Sequence, residues 1–487
     1  MSEILPETLA LLASPWVWTA LFLGVASGML VGAIPGLSAT MGVALLIPFT
    51  FELEIMPALA LLVGIYSGAI YGGTLPAVLF RTPGTPASAA TLMDGYPLMR
   101  AGEPGRALGL AAWSALVGGV IGTLLLIFLT PQISRFALSF GPAEFFALAV
   151  LGLSLITALA GGSFLKGAIA TTGGLLAATV GMDPLTGYPR FLFGSVSLME
   201  GMPLIPVLIG LFAITEALDS RSGGASGAKR APVRSIELPR RGDVRRTGWT
   251  AVKSAFLGTF TGSTPGAGCD IAAFLCYGEA RRRAKPGDRF GEGEPKGIAA
   301  AESGKTAATS GAMIPLLSLG IPGDAVTAVL IGAFILHGIQ PGPLLFADHA
   351  PLAYGILAVM LFAHLLVFAC ALLSARAVTA ALRIDPRLLK TGILLLGLMG
   401  AYALRANPAD CWVALAFGVV GLGMRRTGIP AAPFLLALIL GGMAETSFRR
   451  GLIVADGSLA FLADRPLALA LLALAALFVA GAFWRKR

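Results

Sequence analysis

The stretch GMLVGAIPGLSATMG, residues 28–42, decides the fold. It lies in an apolar run, yet it sets Gly28, Gly32, Pro35 and Gly36 where the flanking residues would make a membrane helix. Proline ends a helical hydrogen-bond ladder, and glycine lets another backbone come close. Broken backbone at membrane depth survives only where it is buried in protein or lines a wet cavity. The break therefore predicts exposed backbone dipoles near the bilayer midplane.

The rest of the chain agrees with a membrane setting. Of 487 residues, 56% are hydrophobic and 13% charged, with mean hydropathy +0.83. Soluble domains carry roughly twice that charged fraction. Apolar runs long enough to span a bilayer recur at 107–129, 145–162, 355–373 and 467–484. The expected fold is an all-α polytopic membrane protein of about ten to twelve transmembrane segments. The acidic N-terminus lacks the basic start of a secretory signal, so the first apolar segment is expected to be retained.

The net charge of +9 does not point to nucleic acid. The basic residues sit in loops between apolar segments, which is the positive-inside pattern. Residues 219–246 carry eight Arg or Lys against three acids among Ser, Gly and Pro, and read as a flexible cytoplasmic linker. Residues 279–297 and the C-terminal WRKR also read as cytoplasmic. With the acidic N-terminus outside, the crossings number an odd count, about eleven. Cys269, Cys276, Cys370 and Cys411 lie in apolar context without metal-ligand spacing and read as packing residues. His337, His349 and His364 have no mutual spacing that suggests a metal, and His364 reads as a packed histidine.

An internal repeat organises the chain. Gly28, Gly32, Pro35 and Gly36 recur as Gly258, Gly262, Pro265 and Gly266, at an offset of 230. Gly72, Pro76, Pro83 and Gly84 recur as Gly311, Pro315, Pro322 and Gly323, at an offset of 239. Two motifs in the same order at nearly the same offset divide the chain into a first membrane repeat (1–218), a linker (219–246) and a second membrane repeat (247–487). The first hairpin starts from an outside N-terminus and the second from a cytoplasmic linker, so the repeats are expected to be inverted. Both carry re-entrant or broken helices with Pro-Gly tips. Such repeats are common in secondary transporters, whose sites lie at the midplane. Half-helix N-termini there offer unpaired N–H groups and partial positive charge, which suits a carboxylate. The competing reading of each motif alone is a proline kink or a GxxxG packing face.

At these residues the sequence resembles the large membrane subunit of the tripartite tricarboxylate transporters, the TctA family. The resemblance runs through nearly the whole chain, in GAIPGLSATMGVALLIPFTF, YGGTLPAVLFRTPGTPASAATLMDGYPLMRAGEPGRALG, GSTPGAGCDIAAFLCYGEA, FGEGEPKGIAAAES and GIPAAPFLLALILGGMAETSFRRGL. It implies a carboxylate importer of the bacterial inner membrane, driven by a sodium or proton gradient and using no other cofactor. It also implies two partners: a small four-helix membrane subunit and a periplasmic substrate-binding protein. By analogy with elevator-type transporters alone, a homodimer is the assembly to look for.

The resemblance carries over by residue. Pro35, Gly36 and Ser38 form a first substrate-binding tip, and Thr264, Pro265, Gly266 and Gly268 a second. Gly84 and Thr85, after Pro83, and Gly323, after Pro322, belong to re-entrant loops near the substrate. Glu302 and Ser303 match a Glu-Ser pair of the family, with Ser303 toward substrate. Glu445 matches an acid of the C-terminal motif and reads as structural.

Two departures stand out. Where the family usually has Asn-Asn, this chain reads Gly304-Lys305-Thr306, and carboxylates appear at Asp270 and Asp324. Ionisable groups inside membranes are costly, and are functional or paired. Lys305 is expected as a fixed cation near the site, balanced by Asp270 or Asp324. It would hold the substrate carboxylate, stand in for a coupling cation, or carry the coupled proton. The alternative is a loop-edge lysine that snorkels to water. Asp270 and Asp324 are accordingly expected as coupling-ion ligands or charge partners.

Other classes fit less well. Gly304-Lys305-Thr306 lacks the glycine a phosphate loop needs five residues earlier, since Ala299 stands there. No nucleophile with a base is apparent for an intramembrane hydrolase, so no enzymatic activity is expected. A passive anion channel built on the same loops is the alternative.

Overall fold

The computed structural model describes residues 4–34, 36–159, 163–219, 236–373 and 386–484. Pro35 and most of the basic linker, 220–235, lie outside them. The expected all-α polytopic architecture is what the structure shows: helices dominate, and the one sheet among the described residues is a two-stranded hairpin, Gly181–Met182 with Pro189–Arg190. Among the described residues five helices are long and apolar enough to cross a membrane: Pro15–Ala33, the Ile55–Phe80 segment, Pro104–Ala137, Ala350–Leu373 and Ala431–Val454. Eight shorter apolar helices of 10–17 residues accompany them among the described residues. Large apolar side chains such as Phe128, Leu124, Trp16 and Leu477 face outward on these helices, as lipid contact requires.

The first hairpin runs down Pro15–Ala33, turns through Gly36, and returns as Ala39–Leu46. Ser38 starts the return helix by accepting the Met41 N–H at 3.1 Å. The second hairpin uses Arg241–Gly262 and Gly268–Arg282, with its tip at 263–267. Gly36 and Gly266 both take positive φ, 97° and 85°.

The sequence repeat reappears as repeated contacts. A Cβ on Gly28 or Gly32 would meet the backbone oxygen of Ile65 or Ala69 at 2.4 and 2.1 Å. A Cβ on Gly258 or Gly262 would meet that of Gly304 or Ala308 at 2.1 and 2.3 Å. Gly84 lies on the Gly32 oxygen and Gly323 on the Gly262 oxygen in the same way. Each equivalent pair keeps the offsets of 230 and 239. Membrane helices gain little hydrophobic drive from one another, so close backbone approach through small residues supplies their cohesion.

The following helices then cross over reciprocally. Pro104–Ala137 packs along Pro295–Leu319, and Ala350–Leu373 packs along Ile55–Gly72. The short return helices do likewise: Ala39–Leu46 touches Ala325–Leu336, and Gly268–Arg282 touches the turn Pro86–Ser88. Material from each half thus meets at the centre.

The linker is shorter than the composition implied. Helix begins at Arg241, where Asp243 closes the first turn and accepts from Arg106 at 2.6 and 3.1 Å. The Glu237 N–H donates to the Gly105 carbonyl at 3.1 Å. Residues 236–246, read as flexible from their charge, are docked because those charges have fixed partners.

The 181–190 hairpin is tied to Ala431–Val454 by charge. Arg190 contacts Glu445 at 2.6 Å, and Arg449 reaches both Asp183 and Glu445. Glu445 is therefore structural, as the sequence suggested. The Arg449 guanidinium, helped by the N–H groups of Thr186 and Leu185, holds the Asp183 carboxyl well below the usual carboxylate range. A depressed carboxylate stabilises above its unfolded-chain value of about 3.9, and that stability disappears as pH falls through the folded value. The melting-temperature gap between wild type and Arg449→Gln should thus stay flat from about pH 8 to pH 5 and shrink only below about 4. A gap already closing near pH 6 would rule this pairing out as its cause.

Candidate functional site

One cavity of about 300 Å³ lies where the two halves meet. Its walls include Ser38 and Thr40 from the first hairpin, Thr85 from the first re-entrant loop, Gly266 and Asp270 from the second hairpin, and Asp324 from the second loop. Pro430 and Pro433, at the head of Ala431–Val454, close another side. A larger cavity of about 430 Å³, lined by Glu7, Ser14 and Glu54, lies away from both tips and holds no residue of the repeat motifs.

Four chain breaks converge on the central cavity. Ser38 caps Ala39–Leu46, Ala267 precedes Gly268–Arg282, Thr85 precedes the turn that runs into Ala89–Arg100, and Asp324 caps Ala325–Leu336. Each helix turns its N-terminal, partly positive end toward the cavity wall. Two carboxylates offset that field. Asp324 accepts the Thr327 N–H and hydroxyl, both at 2.8 Å, through Oδ1, and the Tyr66 hydroxyl at 2.5 Å through Oδ2. Asp270 is exposed to the cavity and lies against the backbone N–H of Ala87. Among the described residues neither is ion-paired.

Several expected site residues stand behind the wall. Gly84 and Gly323 are packing points, where backbone passes too close for any side chain. The Gly266 N–H donates to the Gly323 carbonyl at 2.8 Å, so the second tip is bonded to the second loop. Thr264 turns its hydroxyl back to the Phe260 carbonyl at 3.1 Å, and Thr264 and Pro265 are only half-buried. Ser303 is turned away from the cavity: its hydroxyl donates to the Ala251 carbonyl at 2.6 Å, inside the helix pair. Gly36 makes the first turn without lining the cavity.

Lys305 departs most from expectation. It is fully buried, which excludes snorkelling, and it does not line the cavity. Its ion-pair partner is Glu302 at 2.8 Å, one turn earlier on the same helix, and neither Asp270 nor Asp324 is within ion-pair distance. One helical turn brings i and i+3 side chains together on a single face, so the nearest carboxylate in sequence wins. Gly304-Lys305-Thr306 lies in mid-helix, in Pro295–Leu319, where no phosphate loop could form. His364 is buried beside Thr309 and Ser310, at 3.4 and 3.2 Å from Nε2, as a packed histidine should be.

Tyr66, Thr74, Ser88 and Thr91 were missed by sequence reasoning. The offset of 239 that ties Gly72 to Gly311 also sets Tyr66 against Lys305 and Thr85 against Asp324. Extending the register six residues before Gly72 would have found Tyr66, but Thr74 and Thr91 register with Met313 and Leu330 and give no such signal. Pro430 and Pro433 were legible as a further chain break at the edge of an apolar run.

With this geometry in place, comparison with known proteins decides the family. The family described as "Tripartite tricarboxylate transporter TctA family" matches residues 19–436. The chain belongs to the TctA family. A curated relative from Agrobacterium vitis, "Uncharacterized 52.8 kDa protein in TAR-I ttuC' 3'region", is 38% identical over 460 residues, 94% of this chain and 91% of the relative. A second protein of Agrobacterium vitis, "Uncharacterized protein in TAR-II ttuC' 3'region", is 35% identical over 217 residues, covering 45% of this chain and 90% of the relative. No solved structure matches. As a TctA-family protein the chain is the large, multi-pass membrane subunit of a tripartite transporter, and the family implies a small membrane subunit and a binding protein as partners.

Proposed function

We propose that this chain is the permease of a binding-protein-dependent secondary transporter that imports a carboxylate across the bacterial inner membrane on a sodium or proton gradient. The observation that carries the reading is the central cavity, built from both tips and both re-entrant loops, with helix N-termini aimed into it. A carboxylate fits those N-termini. Asp270 and Asp324 would repel it unless they hold a cation or proton at the same time. Unpaired carboxylates at membrane depth are costly. An arriving cation therefore makes the cavity receptive to the anion, and the two travel together. On this reading 1–218 and 247–487 are the inverted repeats on either side of the linker, and the chain is a transporter without enzymatic activity.

The test is uptake of labelled citrate and other carboxylates into cells expressing the chain with its small subunit and binding protein. Sodium and proton gradients are imposed separately. Accumulation against the substrate gradient is expected with one of them. Asp324→Asn keeps the side-chain shape and one cap acceptor but removes the charge. It should cut gradient-driven accumulation by about 100-fold or more, comparable to losing an interaction worth ~3 kcal/mol. Equilibration without accumulation in the wild type would identify a passive anion pore instead.

A further inference from the structure

The Lys305 ammonium sits in a cage made by both halves of the chain. Its three N–H bonds have three oxygen acceptors: Thr74 Oγ1 at 2.6 Å, Glu302 Oε1 at 2.8 Å and Ser88 Oγ at 3.0 Å. That number matches the donors a lysine carries. Glu302 Oε1 also accepts from Thr74 at 2.9 Å and Thr91 at 2.5 Å. All five residues are buried. Glu302 Oε2 and the Tyr71 hydroxyl have no hydrogen-bond partner among the described residues.

One carboxylate oxygen and two hydroxyls, one for each N–H, are the acceptor set that a primary ammonium group needs when it is buried. The cage is joined to the cavity wall, since Ser88 Oγ lies 3.0 Å from Thr85 Oγ1. At the matching register of the other half the neutral Tyr66 stands for Lys305 and bonds Asp324 at 2.5 Å, while Val63 and Met313 stand for Glu302 and Thr74, so that half has no such cage.

We propose that Glu302, Thr74 and Ser88 form a small-cation site that this chain occupies permanently with its own Lys305 ammonium. A tethered cation keeps the first re-entrant loop neutralised and in place whatever the surrounding ions. It also gives the site a defined vacancy chemistry. Removing the lysine beyond Cβ leaves a buried anionic cage that a primary ammonium ion from solution can refill. The inference rests on the cage alone and not on the transport reading, so its failure would leave that reading untouched.

The experiment uses the full chain purified in detergent, melted in equal concentrations of choline chloride or methylammonium chloride. The wild type should melt alike in both salts. Lys305→Ala should melt roughly 5 °C lower in choline, because a buried charge loses its partner. Methylammonium should restore about half or more of that loss, saturably with concentration. Adding Glu302→Gln to Lys305→Ala should remove the rescue. Equal melting of Lys305→Ala in the two salts overturns the proposal, and so does a rescue that survives Glu302→Gln. If Lys305→Ala cannot be purified, the volume-keeping Lys305→Met decides, alone and with Glu302→Gln: a single variant that melts well below the double supports the charge cage, and equal melting of the two overturns it.

Discussion

Gly266→Val should abolish gradient-driven uptake and lower the melting temperature, whereas Gly278→Val should do neither. Gly266 sits at φ 85°, where a side chain is strained, and its Cβ would fall 2.8 Å from Ile156 Cα. Left-handed backbone costs a β-branched residue about 1–2 kcal/mol, and overpacking adds about 1–3 kcal/mol. The second tip must then move off Ile156, or lose the bond from its own N–H to the Gly323 carbonyl. Either shift moves the start of Gly268–Arg282, and with it Asp270, at the cavity wall. Gly278 has nothing within 4 Å of a new Cβ, so it controls for the substitution itself. Wild-type uptake by Gly266→Val would separate the second tip from the transport step.

The largest effect on folding is expected at the contact between the long helices. Gly258→Leu and Gly262→Leu would each drive a side chain into the backbone of Pro295–Leu319, where Cβ alone comes within 2.1 Å of the Gly304 oxygen and 2.3 Å of the Ala308 oxygen. No rotamer relieves a clash at Cβ, so the helices must separate. The loss should exceed the ~1–3 kcal/mol of ordinary overpacking, because one displacement breaks both the glycine contacts and the Ser303 bond to Ala251. Little folded protein should survive detergent extraction and size-exclusion chromatography. Gly248→Leu, with nothing within 4 Å, should elute normally. A normal profile for Gly262→Leu would mean the helices can part without loss of the fold.

The two predictions differ in how much of each was legible beforehand. The glycine spacing of both hairpins was plain in the chain, and the structure gives each position a backbone to touch. The role of Gly84 and Gly323 was only half-legible. Their repetition marked them as important, but a glycine needed for close packing and one needed near a ligand look the same in sequence. Lys305 shows the limit most clearly. A lysine in an apolar run announces a buried charge, yet the partners read for it were Asp270 and Asp324, and the i,i+3 neighbour Glu302 was passed over. The choice turned on which carboxylate a 2.8 Å contact could reach.

By itself the sequence determined the membrane class, the two Pro-Gly tips, the repeat and the family, because these follow from composition, from helix-breaking residues and from the order of motifs along one chain. Only the tertiary structure decided which groups share the cavity and which share the Lys305 cage. Tyr66 and Asp324 are 258 residues apart, and Thr74 and Lys305 are 231 apart. No local rule couples such positions. The physical reason is that hydrogen bonds between buried groups of distant segments are settled by distances of a few ångströms, and those exist only after helices from both halves have crossed and packed.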